Sequence, residues 1–158
     1  MDFTLQCEPV DGPAALALIS CAQDELDRRY GLDDTDRSNL DLDELRPPRG
    51  CFVVARDLEG SLSGGVGVRS IGEPAKHFGE IKRLWVRPDL RRGGLALALM
   101  DTAESTARKL GLRHLYLETG IKQPEAIAFY QSTGWTLIPD FPDGLAAYPM
   151  GLKFTKDL

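Results

Sequence analysis

A single α/β domain on a mixed, mostly antiparallel sheet of six or seven strands, with helices on both faces, is what these 158 residues predict. Three observations carry that reading. Short runs of strand length outnumber the helical stretches. Two of them, Cys51 to Asp57 and Leu62 to Ser70, flank a short turn containing Gly60, a hairpin signature. The clearest helix, Leu95 to Leu110, lies between two further strands, and such a βαβ unit makes a parallel pair inside an otherwise antiparallel sheet. The length suits one domain spanning 1–158 and lets a core bury roughly two thirds of the unfolded surface.

In chain order, Phe3 to Val10 alternates as a first strand, and Gly12-Pro13 opens a helix whose apolar positions Ala15, Leu16, Ile19, Ala22 and Leu26 recur at three and four. Gly31 to Asn39 is an Asp-rich loop, and Leu40 to Leu45 reads as a short second helix ended by Pro47-Pro48. After the hairpin, where Gly64, Gly65 and Gly67 weaken the second run or mark a bulge, Gly79 to Val86 is a fourth strand. The stripe Leu95, Leu99, Ala103, Ala107 and Leu110 stops at Gly111, a C-terminal cap. Arg113 to Thr119 is a fifth strand, and Pro124 begins a helix ended by Gly134. Trp135 to Ile138 and Ala146 to Phe154 are the last two strands.

Composition removes several function classes. Hydrophobic residues at 42% and charged residues at 27% are ordinary globular usage, so a disordered or fibrous chain is not expected. Met1 to Gln6 lacks a basic start, and no apolar run nears the roughly 18 residues of a membrane helix, so the expected location is the cytoplasm, without membrane partners. Cys7, Cys21 and Cys51 are odd in number without CxxC spacing, and only His77 and His114 could join them. Reduced, mostly buried thiols and no metal are therefore expected, with both histidines structural or exposed. A pI of 5.0 without a basic aromatic stripe argues against nucleic acid.

Charge is unevenly spread. Ala22 to Leu45 holds nine acidic residues against Arg28, Arg29 and Arg37, whereas Lys76 to Arg113 holds nine basic residues against four acids. One region suits a cation and the other an anion. The basic stretch contains the densest signal, the turn Val86 to Met100 between a strand and the best helix. A helix start presents unpaired N–H groups and a positive dipole end; Gly93 and Gly94 admit a bulky anion, and Arg91 and Arg92 add charge. The turn predicts a pyrophosphate cradle. It lacks the Lys-Ser/Thr pair of a P-loop and the GxGxxG of a dinucleotide fold, so ATP and NAD are poorly supported.

Arg91-Arg92-Gly93-Gly94-Leu95-Ala96 is similar to the (Gln/Arg)-x-x-Gly-x-(Gly/Ala) signature of the GNAT acetyltransferases, and Leu84 to Pro88 resembles that family's fourth strand and its exit. A second match follows, where Ala126-Ile-Ala-Phe-Tyr130 with Gly134-Trp135 resembles the family's A-I-x-(F/L)-Y-x-x-x-G-(F/Y/W) segment. The similarity runs clearly over residues 78 to 138. Leu117-Glu-Thr-Gly-Ile-Lys-Gln-Pro-Glu-Ala126 resembles a bacterial subgroup of the family sharing L-E-T-G-x-x-Q-P-E-A, with Gln123 where Asn is often found.

The resemblance implies acetyl transfer from acetyl-CoA to a primary amine of a small molecule or peptide, with a homodimer left open. It implies that the amides of Arg92, Gly93, Gly94, Leu95, Ala96 and Leu97, beside Arg91, hold the CoA pyrophosphate. Leu84, Trp85 and Val86 line the pantetheine arm, with Val86 N–H polarising the thioester carbonyl, and Gln123, Ala126, Phe129 and Tyr130 border the same slot. Tyr130 protonates the departing thiolate, and Glu80 is the general base, with Glu118 or water as competitor. Asp33, Asp34, Asp36, Asp41 and Asp43 fall where the family walls the acceptor site; Trp135 and Tyr148 add an apolar wall. Alternatives are an acyl-CoA-binding sensor on the same scaffold, another acyl group, and an unrelated nucleotide fold.

Overall fold

The strands are β1 (Phe3–Glu8), β2 (Gly50–Asp57), β3 (Leu62–Ile71), β4 (Phe78–Val86), β5 (His114–Gly120), β6 (Thr136–Ile138) and β7 (Gly151–Asp157); the helices are α1 (Pro13–Tyr30), α2 (Leu95–Lys109) and α3 (Pro124–Ser132). They are taken from a computed structural model that describes residues 2–31, 41–142, 145 and 151–158. One seven-stranded sheet has the order β1-β2-β3-β4-β5-β7-β6. Every pairing is antiparallel except β4 with β5, the expected parallel pair.

Alternation along the strands divides the core. On one face Cys51, Val53, Val66, Val68 and Ile81 meet Leu95, Leu99 and Ala103 of α2 and Tyr130 of α3. On the other, Phe52 and Val54 meet Ala14, Ala15 and Leu18 of α1, with Leu45. Helices therefore cover both faces. Proline opens both α1 and α3, where its missing N–H costs nothing. Gly111 and Gly134, at φ 82° and 90°, take the left-handed conformation that follows a helix end.

The short second helix is one 3-10 turn, Leu42–Leu45, with Asp41 accepting Asp43 N–H at its start, and Leu40 lies outside the described residues. Two expectations need correction. The last strand begins at Gly151 and runs to Asp157, pairing along its length with β5, and residues 146 to 150 of the expected run, Tyr148 among them, lie outside the described residues. Cys7 and Cys51 are joined in a disulfide with Cα atoms 5.9 Å apart, so reduced thiols hold only for the partly buried Cys21. Cysteine spacing missed the bond because β1 and β2, remote in sequence, bring the pair together. Among the described residues no helix is long and apolar enough to cross a membrane, and no His, Cys, Asp and Glu group could hold a metal.

The disulfide ties residues 44 apart in sequence, and such a cross-link restricts the unfolded chain. Reduction and alkylation should therefore lower the urea midpoint by the equivalent of about 2–4 kcal/mol. An unchanged midpoint would show that the bond adds no net stability.

Candidate active site

β4 and β5 pair at only three positions, Phe78 with His114, Gly79 with Leu115 and Glu80 with Tyr116. Beyond them the strands part and leave a gap between Ile81–Val86 and Leu117–Gly120. The register of β4 against β3 shifts between Gly65 and Gly67, and Arg83 sits there at φ 56°, a bulge that re-aims the end of β4. Past the bulge, Arg87 N–H donates to Ser63 O at 2.9 Å. Antiparallel pairs alternate between bonded and unbonded, so Trp85 bonds to Gly65 while the polar groups of Val86 turn away from β3, into the gap.

The gap leads to the start of α2. Gly94 is the N-cap at φ 89°, no side chain caps the helix, and its first turn carries no acid. The leading amides of Leu95, Ala96 and Leu97 thus lack intrahelical acceptors and keep the positive dipole end uncompensated. A Cβ placed on Gly94 would meet nothing within 4 Å, and one on Gly93 only Leu90 O at 3.3 Å, so space above the turn is open. Arg92, exposed and at φ 65°, makes no ion pair among the described residues. Arg91 is committed elsewhere: its Nε donates to Val86 O at 2.9 Å and its Nη2 to Glu25 Oε1 at 2.6 Å. It braces the turn.

On the α1 face of the sheet, Glu80 is buried, its side chain 4% exposed. Its Oε1 accepts Arg69 Nε at 3.0 Å and Nη2 at 2.6 Å, and Arg69 Nη1 binds Glu44 of the 3-10 turn. Among the described residues Glu80 Oε2 makes no hydrogen bond. The expected ion pair of Glu80 with Lys82 is a loose one, at 3.9 Å, and the close partner is Arg69.

Comparison with known proteins identifies the family that carries this fold. The profile of the "Acetyltransferase (GNAT) family" matches residues 17–135. The chain belongs to the GNAT acetyltransferase family. Among relatives, an IAA acetyltransferase of Azospirillum brasilense is 39% identical over 114 residues, covering 71% of this chain and 72% of that one. The fold is shared with the PaiA N-acetyltransferase of Thermoplasma acidophilum in complex with coenzyme A, at TM-score 0.71, 16% identity and full coverage of both chains. It is shared too with a GNAT acetyltransferase of Elizabethkingia anophelis with acetyl-CoA bound, at TM-score 0.69, 16% identity and coverage of 99% and 98%.

On this GNAT scaffold the remaining residues fall as follows. Tyr130 packs on the α2 and α3 side against Phe129, Trp135 and Phe154, with ring centroids 5.4, 6.1 and 5.7 Å away. Among the described residues its hydroxyl makes no hydrogen bond, and burial raises the phenol well above its usual pKa. Phe129 and Ala126 are partly buried against the same core. Gln123 is the N-cap position of α3 without a side-chain cap bond. Glu118 faces Lys153 across β5 and β7. His114 binds Asp157 at 2.7 Å at the paired end of the strands, and His77 Nδ1 lies 3.1 Å from Gly111 O; both are half-buried and partnered within the fold. Asp33, Asp34 and Asp36 lie outside the described residues.

What the residue pattern did not reveal is how the parted ends are held. The last turns of α1 touch both sides. Glu25 takes Arg91 from the β4 side, while Arg29 binds Glu125 of α3 and donates from Nη1 to Lys122 O at 3.2 Å. Tyr30 Oη accepts Lys122 N–H at 3.0 Å, and a Cβ on Gly120 would collide with that hydroxyl. Gly120 and Glu125 of the L-E-T-G-x-x-Q-P-E-A run are thus the docking surface for α1. Gly120→Ala should lower stability by about 1–3 kcal/mol, through overpacking against a hydrogen-bonded ring. Adding Tyr30→Ala should recover part of the loss in thermal unfolding; strictly additive losses would disprove the contact.

Proposed function

We propose that the protein transfers an acetyl group from acetyl-CoA to a primary amine of a small molecule or peptide, by direct attack of the amine on the thioester. One observation carries the reading: Val86, its carbonyl held by Arg91, turns its N–H into a gap that ends at the uncapped start of α2. A diphosphate fits there because two helix requirements, unpaired N–H groups and an uncompensated dipole, are left for a ligand. The amides of Gly93 to Leu97 would hold the phosphates, with Arg92 supplying charge, and Leu84 would bond the pantetheine arm, leaving Val86 N–H for the thioester. Acetyl-CoA, when bound, supplies the activated acyl group.

The chain's part in the chemistry is then modest. Val86 N–H donates to the carbonyl oxygen as negative charge develops on it. The amine nitrogen forms a bond to the carbonyl carbon, the carbon–sulfur bond breaks, and the thiolate takes a proton from Tyr130. Burial keeps the phenol protonated, since a raised pKa preserves the neutral form well past neutral pH. The proton lost by the amine passes to Glu80 Oε2, the carboxylate oxygen that Arg69 leaves open, directly or through water.

Tyr130→Phe should lower kcat by about 10²-fold or more while acetyl-CoA affinity stays within a few fold. In the wild type, kcat should show no fall attributable to Tyr130 below about pH 10, the ordinary phenol value. Wild-type turnover in the variant would remove Tyr130 from the mechanism. Gly94→Asp should abolish acetyl-CoA binding in calorimetry, because it adds bulk and negative charge at the helix mouth; unchanged affinity would refute the cradle. Acetyl-CoA binding without thiol release on any amine would mark a sensor instead of an enzyme.

A further inference from the structure

In the acceptor-side cluster, among the described residues, Lys82 is held only by the loose ion pair with Glu80, at 3.9 Å. It follows Glu80 by two residues on β4, so both side chains stand on the α1 face, roughly 6.6 Å apart along the strand. Its side chain is only 12% exposed, and among the described residues its Nζ makes no hydrogen bond and its nearest carboxylate oxygen is Glu80 Oε1 at 3.9 Å. That oxygen already accepts two N–H groups from Arg69, and Arg69 spends its remaining arm on Glu44. The cluster is neutral in sum, yet three ammonium protons have no acceptor among the described residues. The stem of Lys82 is buried while its Nζ is not among the buried atoms left without a partner, so the ammonium protons face the opening, where water or a ligand takes them.

We propose that Lys82 Nζ binds a carboxylate of a substrate, and that the acceptor is a carboxylated amine of the amino-acid class. The proposal rests on the acyl-transfer reading and names the substrate class for that site. Lys82 lies where β4 has just left β5, on the face opposite α2 and Tyr130. An acceptor there meets opposite charges two residues apart. Its amine faces the open Oε2 of Glu80 and its carboxylate faces Lys82, which matches the short separation of the two groups in an amino acid. The same carboxylate chemistry could reach Lys82 on the acyl chain of a dicarboxylic thioester such as succinyl-CoA.

The test compares wild type, Lys82→Met and Lys82→Arg, each first titrated with acetyl-CoA by calorimetry. Thiol release is then followed with the twenty amino acids and their matching amides, and with succinyl-CoA against acetyl-CoA on an amine without a carboxylate. The expected result is a wild-type kcat/KM at least tenfold higher for the acid than for its amide. That ratio should fall at least tenfold in Lys82→Met, mainly through KM, and be largely kept in Lys82→Arg. A Lys82-dependent preference for succinyl-CoA would support the same anchor and place the carboxylate on the acyl group. Equal use of acids and amides together with no Lys82-dependent preference for succinyl-CoA, no turnover of any carboxylated substrate, or a preference that survives Lys82→Met would overturn the proposal. Failure of the acyl-transfer reading is separately visible, as absent acetyl-CoA binding by the wild type. In that case titration of the amino acids into the cofactor-free protein decides: binding lost in Lys82→Met supports the anchor, and no binding overturns it.

Discussion

The divergence of β4 from β5 after three paired residues is the constraint on which the rest of this structure depends. A sheet that opens in its middle exposes backbone donors and acceptors that water or a ligand must satisfy. It also removes the ladder that would hold the two halves in register. The halves are β1 to β4 on one side and β5 to β7 on the other, so anything that fixes the opening must bridge them from outside the sheet. The bulge at Arg83 works from within β4, turning the strand's end so that Val86 faces the opening. The core cluster beneath, with Leu99, Leu115, Leu117 and Phe154, spans both halves and gives the opening a solid floor.

The outer bridge is α1. Arg91, Glu25, Arg29 and Glu125 alternate in sign from the turn before α2 to the first turn of α3, and Tyr30 lies against Gly120 beside them. Exposed ion pairs are individually worth little, and the Glu25 to Arg29 step, at 4.0 Å, is weak. The bridge gains its strength from the tyrosine and from hydrogen bonds to backbone at Lys122, which cannot be redistributed among alternative partners as surface charges can. This accounts for the cost of using Arg91 internally: a cation beside a presumed diphosphate site serves to fix the turn, while Arg92 retains the free charge.

Much of this was legible in the residues, and the limit follows the range of the interaction. The α2 stripe, the hairpin around Gly60, the caps at Gly111 and Gly134 and the uncapped glycine turn are local, so periodicity and turn chemistry exposed them. The parallel pair followed from connectivity. By contrast, Arg69 and Glu80 are opposed only because the register of β3 on β4 places them so, and Cys7 meets Cys51 only through the edge pairing. Neither partner carries a mark of the other in its own sequence neighbourhood. The Gly120 run was recognisable as a pattern, yet its physical meaning lay in Tyr30, ninety residues earlier, against which only a glycine can pack.

The acidic stretch shows how composition and field can part company. Nine acids between Ala22 and Leu45 suggest attraction of a cationic acceptor. Among the described members, however, Glu25 is held by Arg91, Asp41 caps a turn, Asp43 binds Arg46, and Glu44 binds Arg69. Asp27 accepts from Gln23 and Gly31. An acid already paired with a guanidinium contributes little outward potential, whatever the local count. What reaches the opening from this side is therefore set less by the number of acids than by the few groups left incompletely paired, Glu80 Oε2 and Lys82 Nζ. Those two have opposite signs, and a wall of opposite signs selects a ligand by the spacing of its charges rather than by its net charge.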